Sequence, residues 1–203
     1  MQSRKFLRVM MALAIISSVA STHAALLDRD LDNDSSIDAF YDTELNITWL
    51  RNANVNGAMT WDEAMSWANN FSFAGYADWR LPSPLNQDGS GPCVMMNCTG
   101  SEMGHLWYSQ LGNLSGGPMT NTGNFQGLQS GPGYWNGLEL TSTNGWTFRT
   151  ESGLQVGGLK SEPRFALIVR SGDVAPVPEP ATYALMLLGV IAVAVAGSRR
   201  RRS

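Results

Sequence analysis

Apolar positions follow different patterns at the ends of the chain and in its middle. Near each end they form a long, nearly continuous run, from Val9 to about Val19 and from Ala181 to Gly197. Between the runs they occur in short clusters separated by Gly, Asn, Ser and Thr, which favours short elements joined by many turns. Phe40-Tyr41-Asp42-Thr43 and Asn46-Ile47-Thr48-Trp49-Leu50 read as two short strands about a turn. At Thr60-Trp61-Asp62-Glu63 the pattern becomes that of a capping box: Thr60 caps, Glu63 reaches back, and Trp61, Ala64, Met65 and Ala68 share one helical face. Gly75 lies beyond the end of that helix. Asp78-Trp79-Arg80-Leu81-Pro82 reads as a strand passing into a loop, because Pro82 pushes Leu81 toward extended geometry. Trp79 is expected to be buried between the first helix and a sheet, and Arg80 to find a carboxylate or backbone carbonyls.

Residues 101–111 predict a second helix, stopped by Gly112. Beyond it the chain reads as strands only: 134–137, 145–149 and 164–170. Two early helices with strands before and after predict an α+β fold.

The ends read as addresses. Arg4, Lys5 and Arg8 precede the first apolar run, and Thr22-His23-Ala24 closes it, so residues 1–24 form a secretory signal peptide cut after Ala24. The second run, 181–197, would span ~25 Å as a helix, just enough for a bilayer core of ~30 Å. Arg199, Arg200, Arg201 and Arg202 follow it and would stay in the cytoplasm. This leaves the body outside the inner membrane.

Composition changes the picture once these addresses are set aside. The whole 203-residue chain has a formal net charge of −3. Residues 25–198 hold only seven Lys and Arg against all 17 acids, a net of about −10. A body this acidic argues against nucleic-acid binding, which needs a basic footprint.

Two resemblances can be drawn. Val177-Pro178-Glu179-Pro180, the apolar run and the terminal Arg cluster resemble the PEP-CTERM sorting signal, a segment also labelled an ice-binding protein C-terminal motif. The resemblance implies recognition by an exosortase in the membrane and cleavage near Pro178-Glu179-Pro180. The body would then be delivered to the cell surface or an exopolysaccharide matrix. The other resemblance rests on Tyr41-Asp42-Thr43, Ile47 to Leu50, Met59 to Ala64, Gly75 to Pro82, Glu102 to Leu106, Tyr134-Trp135 and Ala166 to Arg170. In this order they are similar to the C-terminal domain of bacterial collagen-like adhesins. That likeness covers about residues 40–173 and implies a C-type-lectin-like fold with two helices on small antiparallel sheets. It implies adhesion, with polysaccharide or a surface protein as partner. The expected organisation is signal peptide 1–24, acidic linker 25–39, lectin-like domain 40–173 and sorting signal 174–203. Glu-Pro-Asn, Gln-Pro-Asp and Trp-Asn-Asp, which mark calcium-dependent sugar binding in such folds, are absent; Trp135-Asn136 is followed by Gly137.

Candidate chemistry in the body is sparse. His105 is the single histidine after Ala24, with no metal-ligand spacing around it, and reads as structural. No Gly-x-Ser-x-Gly nucleophile turn occurs. Asp30, Asp32, Asp34 and Asp38 fall at positions 1, 3, 5 and 9 of a calcium loop, but Ser35 stands where that loop wants Gly and Tyr41 where it wants Glu. The segment reads as a solvated linker, with a weak calcium site as the sharper alternative; no other cofactor is expected. Cys93 and Cys98 are expected to pair after export. Most tryptophans should be core, with Trp135 and Trp146 the more exposed pair, free to stack on a sugar. These features predict a non-enzymatic binding protein. The alternatives are an enzyme on a formylglycine-generating-like variant of the fold, or a purely structural matrix protein.

Overall fold

The computed structural model describes residues 26–174. The signal peptide expected at 1–24, the sorting motif Val177 to Pro180, the apolar run 181–197 and Arg199 to Arg202 lie outside the described residues. Two antiparallel sheets carry the fold. The first has the order β1-β2-β3-β7, built from β1 (Leu26–Arg29), β2 (Ala39–Asp42), β3 (Ile47–Leu50) and β7 (Val169–Ser171). The second is a meander of β4 (Tyr134–Thr141), β5 (Asn144–Arg149) and β6 (Leu154–Leu159). Helix α1 (Trp61–Asn70) follows β3, and α2 (Glu102–Gly104) runs directly into a π-helical segment, His105–Gln110. The architecture is α+β, mostly small antiparallel sheets. Among the described residues no helix is long and apolar enough to cross a membrane.

The elements form for local reasons. Asp42 turns β2 into β3 by accepting the N–H groups of Glu44 and Leu45 on Oδ1 (3.0 and 3.1 Å). Glu63 Oε2 accepts from Thr60 N (2.9 Å), so the start of α1 is closed as its sequence predicts. Ser101 Oγ caps α2 by accepting from Gly104 N (3.1 Å). Gly104 has no alternative, because a Cβ there would overlap the Cys98 carbonyl oxygen.

Two hydrophobic cores share the strands between them. One gathers Trp49, Trp107, Tyr134 and Phe148 with Met103 and Leu106. The other gathers Trp61, Trp79 and Trp135 with Ala64, Leu81 and Ile168. Residues 166–169 run between them. Leu167 and Val169 enter the first core and Ala166 and Ile168 the second, the alternation an extended chain imposes. Burial on both faces is why this stretch is an unbroken apolar run.

Several sequence expectations are corrected. The strand expected at 164–170 is regular only at Val169–Ser171. Upstream, the chain changes partner at almost every step: Arg164 bonds with Met59, Phe165 with Gly133 and Trp135, and the Ile168 carbonyl with Leu50 N. The acidic segment expected as a linker contains β1, paired with β2 from Leu26↔Asp42 to Arg29↔Ala39. Arg29 ties it to the end of the body through a two-bond ion pair with Asp173 (2.7 and 2.9 Å). The second helix is α-helical for one turn and then widens, with Leu111 N reaching Leu106 O (2.9 Å). Strand β6 has no counterpart in the expectations. Trp135 and Trp146, expected to be exposed, are buried at 0% and 6% exposure. The indole N–H of Trp135 donates to Met59 O (2.9 Å).

Trp79 sits in the second core, edge-on to Phe71 with ring centroids 5.9 Å apart, and donates through Nε1 to Tyr76 O (3.1 Å). Trp79→Ala should therefore cost roughly 3–5 kcal/mol in chemical denaturation of the exported protein, the usual range for deleting a buried aromatic. A loss below about 1 kcal/mol would place the ring at the surface.

Candidate functional site

Of three surface depressions of about 260–360 Å³, the one between β3 and the end of α1 has the most apolar lining, with hydrogen-bonding groups beside it. It measures about 310 Å³, and its walls are Ile37, Leu50, Val55, Phe71 and Phe73. Asp38, Arg51, Asn52, Ser72 and Gln126 supply its polar groups. Its volume is at the lower end of small-ligand sites, which join an apolar lining to a few placed polar groups.

Each wall is fixed by the local fold. Phe71 ends α1 and stands between Trp67 (centroids 5.3 Å) and Trp79. Phe73 is held by a two-residue turn, exchanging both backbone hydrogen bonds with Tyr76 (3.0 and 2.9 Å). The turn residues Ala74 and Gly75 both have positive φ (50° and 85°), the geometry of a tight hairpin turn. Gln126 is anchored by its backbone, bonded to Arg51 O (2.9 Å) and Ala53 N (2.8 Å), and its side chain is exposed. Arg51 lies flat against the chain, donating to Ile37 O (2.9 Å) and Asn124 O (3.2 Å). The sequence reading missed this cleft because its polar groups come from four separate segments with no motif spacing. Trp67 is the partly exposed indole among the described residues, and the ladder it forms with Phe71 was the available signal.

Asp38 belongs to both the cleft and the acidic turn. Asp30, Asp32 and Asp38 offer oxygens that all lie within 4.8 Å of one another; Asp34 is outside this group. Most inward oxygens serve the backbone. Asp30 accepts from Asn33, Asp34 and Ser35, Asp32 and Asp34 each accept from the N–H two residues on, and Asp38 Oδ2 accepts from Leu31 (2.8 Å). The turn is thus a nest of side chain-to-backbone bonds.

The other predicted residues lie elsewhere. Cys93 and Cys98 are joined as a disulfide, Cα atoms 5.4 Å apart. They border a depression of about 360 Å³ with Asn86, Gln87, Asp88 and Asn97. No aromatic side chain lines it, so it offers no face for a ring. Gln155, fully buried on β6 and missed in the sequence, pins this loop by donating to Pro84 O (3.0 Å) and Cys93 O (2.8 Å). His105 is buried, its Nε2 3.0 Å from Gln110 Nε2, 3.3 Å from Glu44 and 3.4 Å from Asp42. It braces the β2–β3 turn against the π-helical segment.

With this geometry in hand, comparison with protein families gives two matches. The model of the Lcl C-terminal domain matches residues 38–170. The chain belongs to the Lcl C-terminal domain family. A second model, the PEP-CTERM protein-sorting motif, matches residues 176–202. No curated protein matches the chain. The Lcl domain is therefore the folded body, and the sorting motif marks an exported precursor, anchored in the membrane and processed by an exosortase for delivery to the cell surface.

The acidic turn that leads into the Lcl domain yields a pH prediction. The Asp32 carboxyl is held above the usual aspartate value, first by partial desolvation and then by Asp34, Asp38 and Asp30, against the lowering hydrogen bond from Asp34. A raised value in the folded state means that the ionised form is disfavoured by folding. The penalty is fully present above the folded value and vanishes as pH falls below the unfolded value, near ~3.9. Asp32→Asn should therefore raise the melting temperature slightly at pH 7 and low salt, with the gain gone by about pH 3. A lower melting temperature at pH 7 would show that the charge is needed by the turn.

Proposed function

We propose that the Lcl domain of this chain is a non-enzymatic binding module of the cell surface or matrix, with a C-type-lectin-like architecture. Its ligand is a saccharide segment of an extracellular polysaccharide, and its site is the cleft walled by Phe71 and Phe73. The observation that carries this reading is the lining itself. Aromatic faces suit the C–H face of a sugar ring, while Asn52, Ser72, Gln126 and Asp38 supply the donors and acceptors that hydroxyls require. The architecture is supported by two small antiparallel sheets, two short helices and first and last strands in a common sheet. The reading involves no resident cofactor, since the cleft's groups suffice for hydrogen bonding and stacking.

A glycan array probed with the exported protein tests it. Binding should appear and weaken about tenfold or more in Phe71→Ala and in Gln126→Ala, the loss typical of a residue at the centre of an interface. Gln126→Ala matters because its side chain is exposed and supports no core. Binding unchanged in Gln126→Ala and Phe71→Ala would move the ligand to another surface. In the same material, intact mass spectrometry should show a chain ending near residue 180; a retained apolar run would contradict exosortase processing.

A further inference from the structure

The charge beside the cleft is strongly biased. From Asp28 to Glu44 the chain carries seven carboxylates and one base, Arg29. Arg29 is engaged by Asp173 at the far end of the sheet. Arg80, Lys160, Arg164 and Arg170 are likewise each paired with a carboxylate of their own. Arg51, the cation in the cleft wall, directs Nε and Nη1 to backbone carbonyls. Bonds to carbonyls leave the Arg51 charge in place, but Asp38 in the cleft and Asp30 and Asp32 next to it outnumber it three to one, so the cleft opens beside a net negative field. Such a field raises the local concentration of cations and repels uronates and sulfated sugars.

We propose that the saccharide taken by this cleft carries free amines: a hexosamine polymer in which a share of the amino groups is unacetylated. This rests on the saccharide reading above and goes beyond it in naming the charge of the ligand. A sugar ring lies against Phe71 and Phe73, and its ammonium group faces Asp38 and the neighbouring carboxylates of Asp30 and Asp32. A lysine-rich peptide would satisfy the charge but would leave the aromatic walls without a ring to cover them. A neutral sugar would cover the walls but gain nothing from the field.

The test is calorimetric titration of the exported, processed protein in EDTA at low salt, with β1,4-linked tetramers of glucosamine, N-acetylglucosamine and glucose, and with tetralysine. The glucosamine tetramer should bind about tenfold tighter than the other two sugars, and the preference should shrink in 0.5 M salt as charge is screened. Asp32→Asn, which keeps the oxygen that serves Asp34 N, should reduce the preference severalfold while leaving the neutral tetramers unchanged. Equal affinity for the three sugars would overturn the amine inference and leave the saccharide reading standing. Tetralysine binding as tightly as the glucosamine tetramer would also overturn it, by showing that charge alone suffices. Absence of binding to all three tetramers would overturn the amine inference, and the glycan array then decides whether the saccharide reading stands.

Discussion

The ion pair between Arg80 and Glu102 sits where the two cores, the second helix and the loop after Pro82 meet. Both guanidinium Nη atoms reach the carboxylate, at 2.8 and 2.7 Å, and Oε2 also accepts Ser83 N at 2.7 Å. The backbone of Arg80 exchanges hydrogen bonds with Val169 (2.8 and 2.9 Å), at the start of the strand that completes the first sheet. Glu102 begins α2; Met103 within it and Leu106 in the π-helical segment fill the first core. One contact thus fixes how the loop leaves the sheet and how the second helix enters the core. Trp79 and Leu81, on either side of Arg80, are locked into the second core in the same step. A nearly buried carboxylate would be costly without such partners; here its oxygens are occupied, and the pair raises the affinity of Arg80 for its proton.

The same constraint places the cleft. With Trp79 fixed, Phe71 has a firm backing, and the end of α1 delivers an aromatic wall opposite the exit of β3. The polar side of the cleft comes from the β1–β2 turn and from the loop at Gln126, which is hydrogen-bonded to Arg51. Walls built on packed elements and a polar rim built on turns form a common division of labour in binding proteins, in which a rigid frame presents adaptable groups.

How much of this was legible in the sequence depended on whether the signal was local. The β2–β3 turn and the start of α1 follow from residues a few positions apart, and each is found; that Arg80 would seek a carboxylate was legible, but not that the partner is Glu102, 22 residues on. The strand run at 164–170 misled because its apolar continuity reflects burial between two cores, not pairing with one neighbour. Trp135 and Trp146 misled because Gly and Asn around an indole suggest exposure, whereas here Gly145 lets Trp61 pack close against β5. Strand β6, Leu-Gln-Val-Gly-Gly-Leu, hides its identity behind two glycines and a buried glutamine whose partners lie 71 and 62 residues away. The cleft was illegible for the same reason: Asp38, Asn52, Phe71 and Gln126 converge only in three dimensions.

The first sheet closes through β7, which pairs with β3 at Ile47↔Ser171, Thr48↔Arg170 and Trp49↔Val169. A strand near the start of the body, β3, thus waits for one at its very end. A chain still emerging from an export channel has β3 with an open edge and Trp49 without its cover, so neither core can be completed until about residue 171 is free. Folding that depends on such distant pairing is slow, and an unpaired strand edge invites pairing with other chains. For an exported protein, the order of its strands therefore makes completion of transport a precondition for acquiring a binding surface at all.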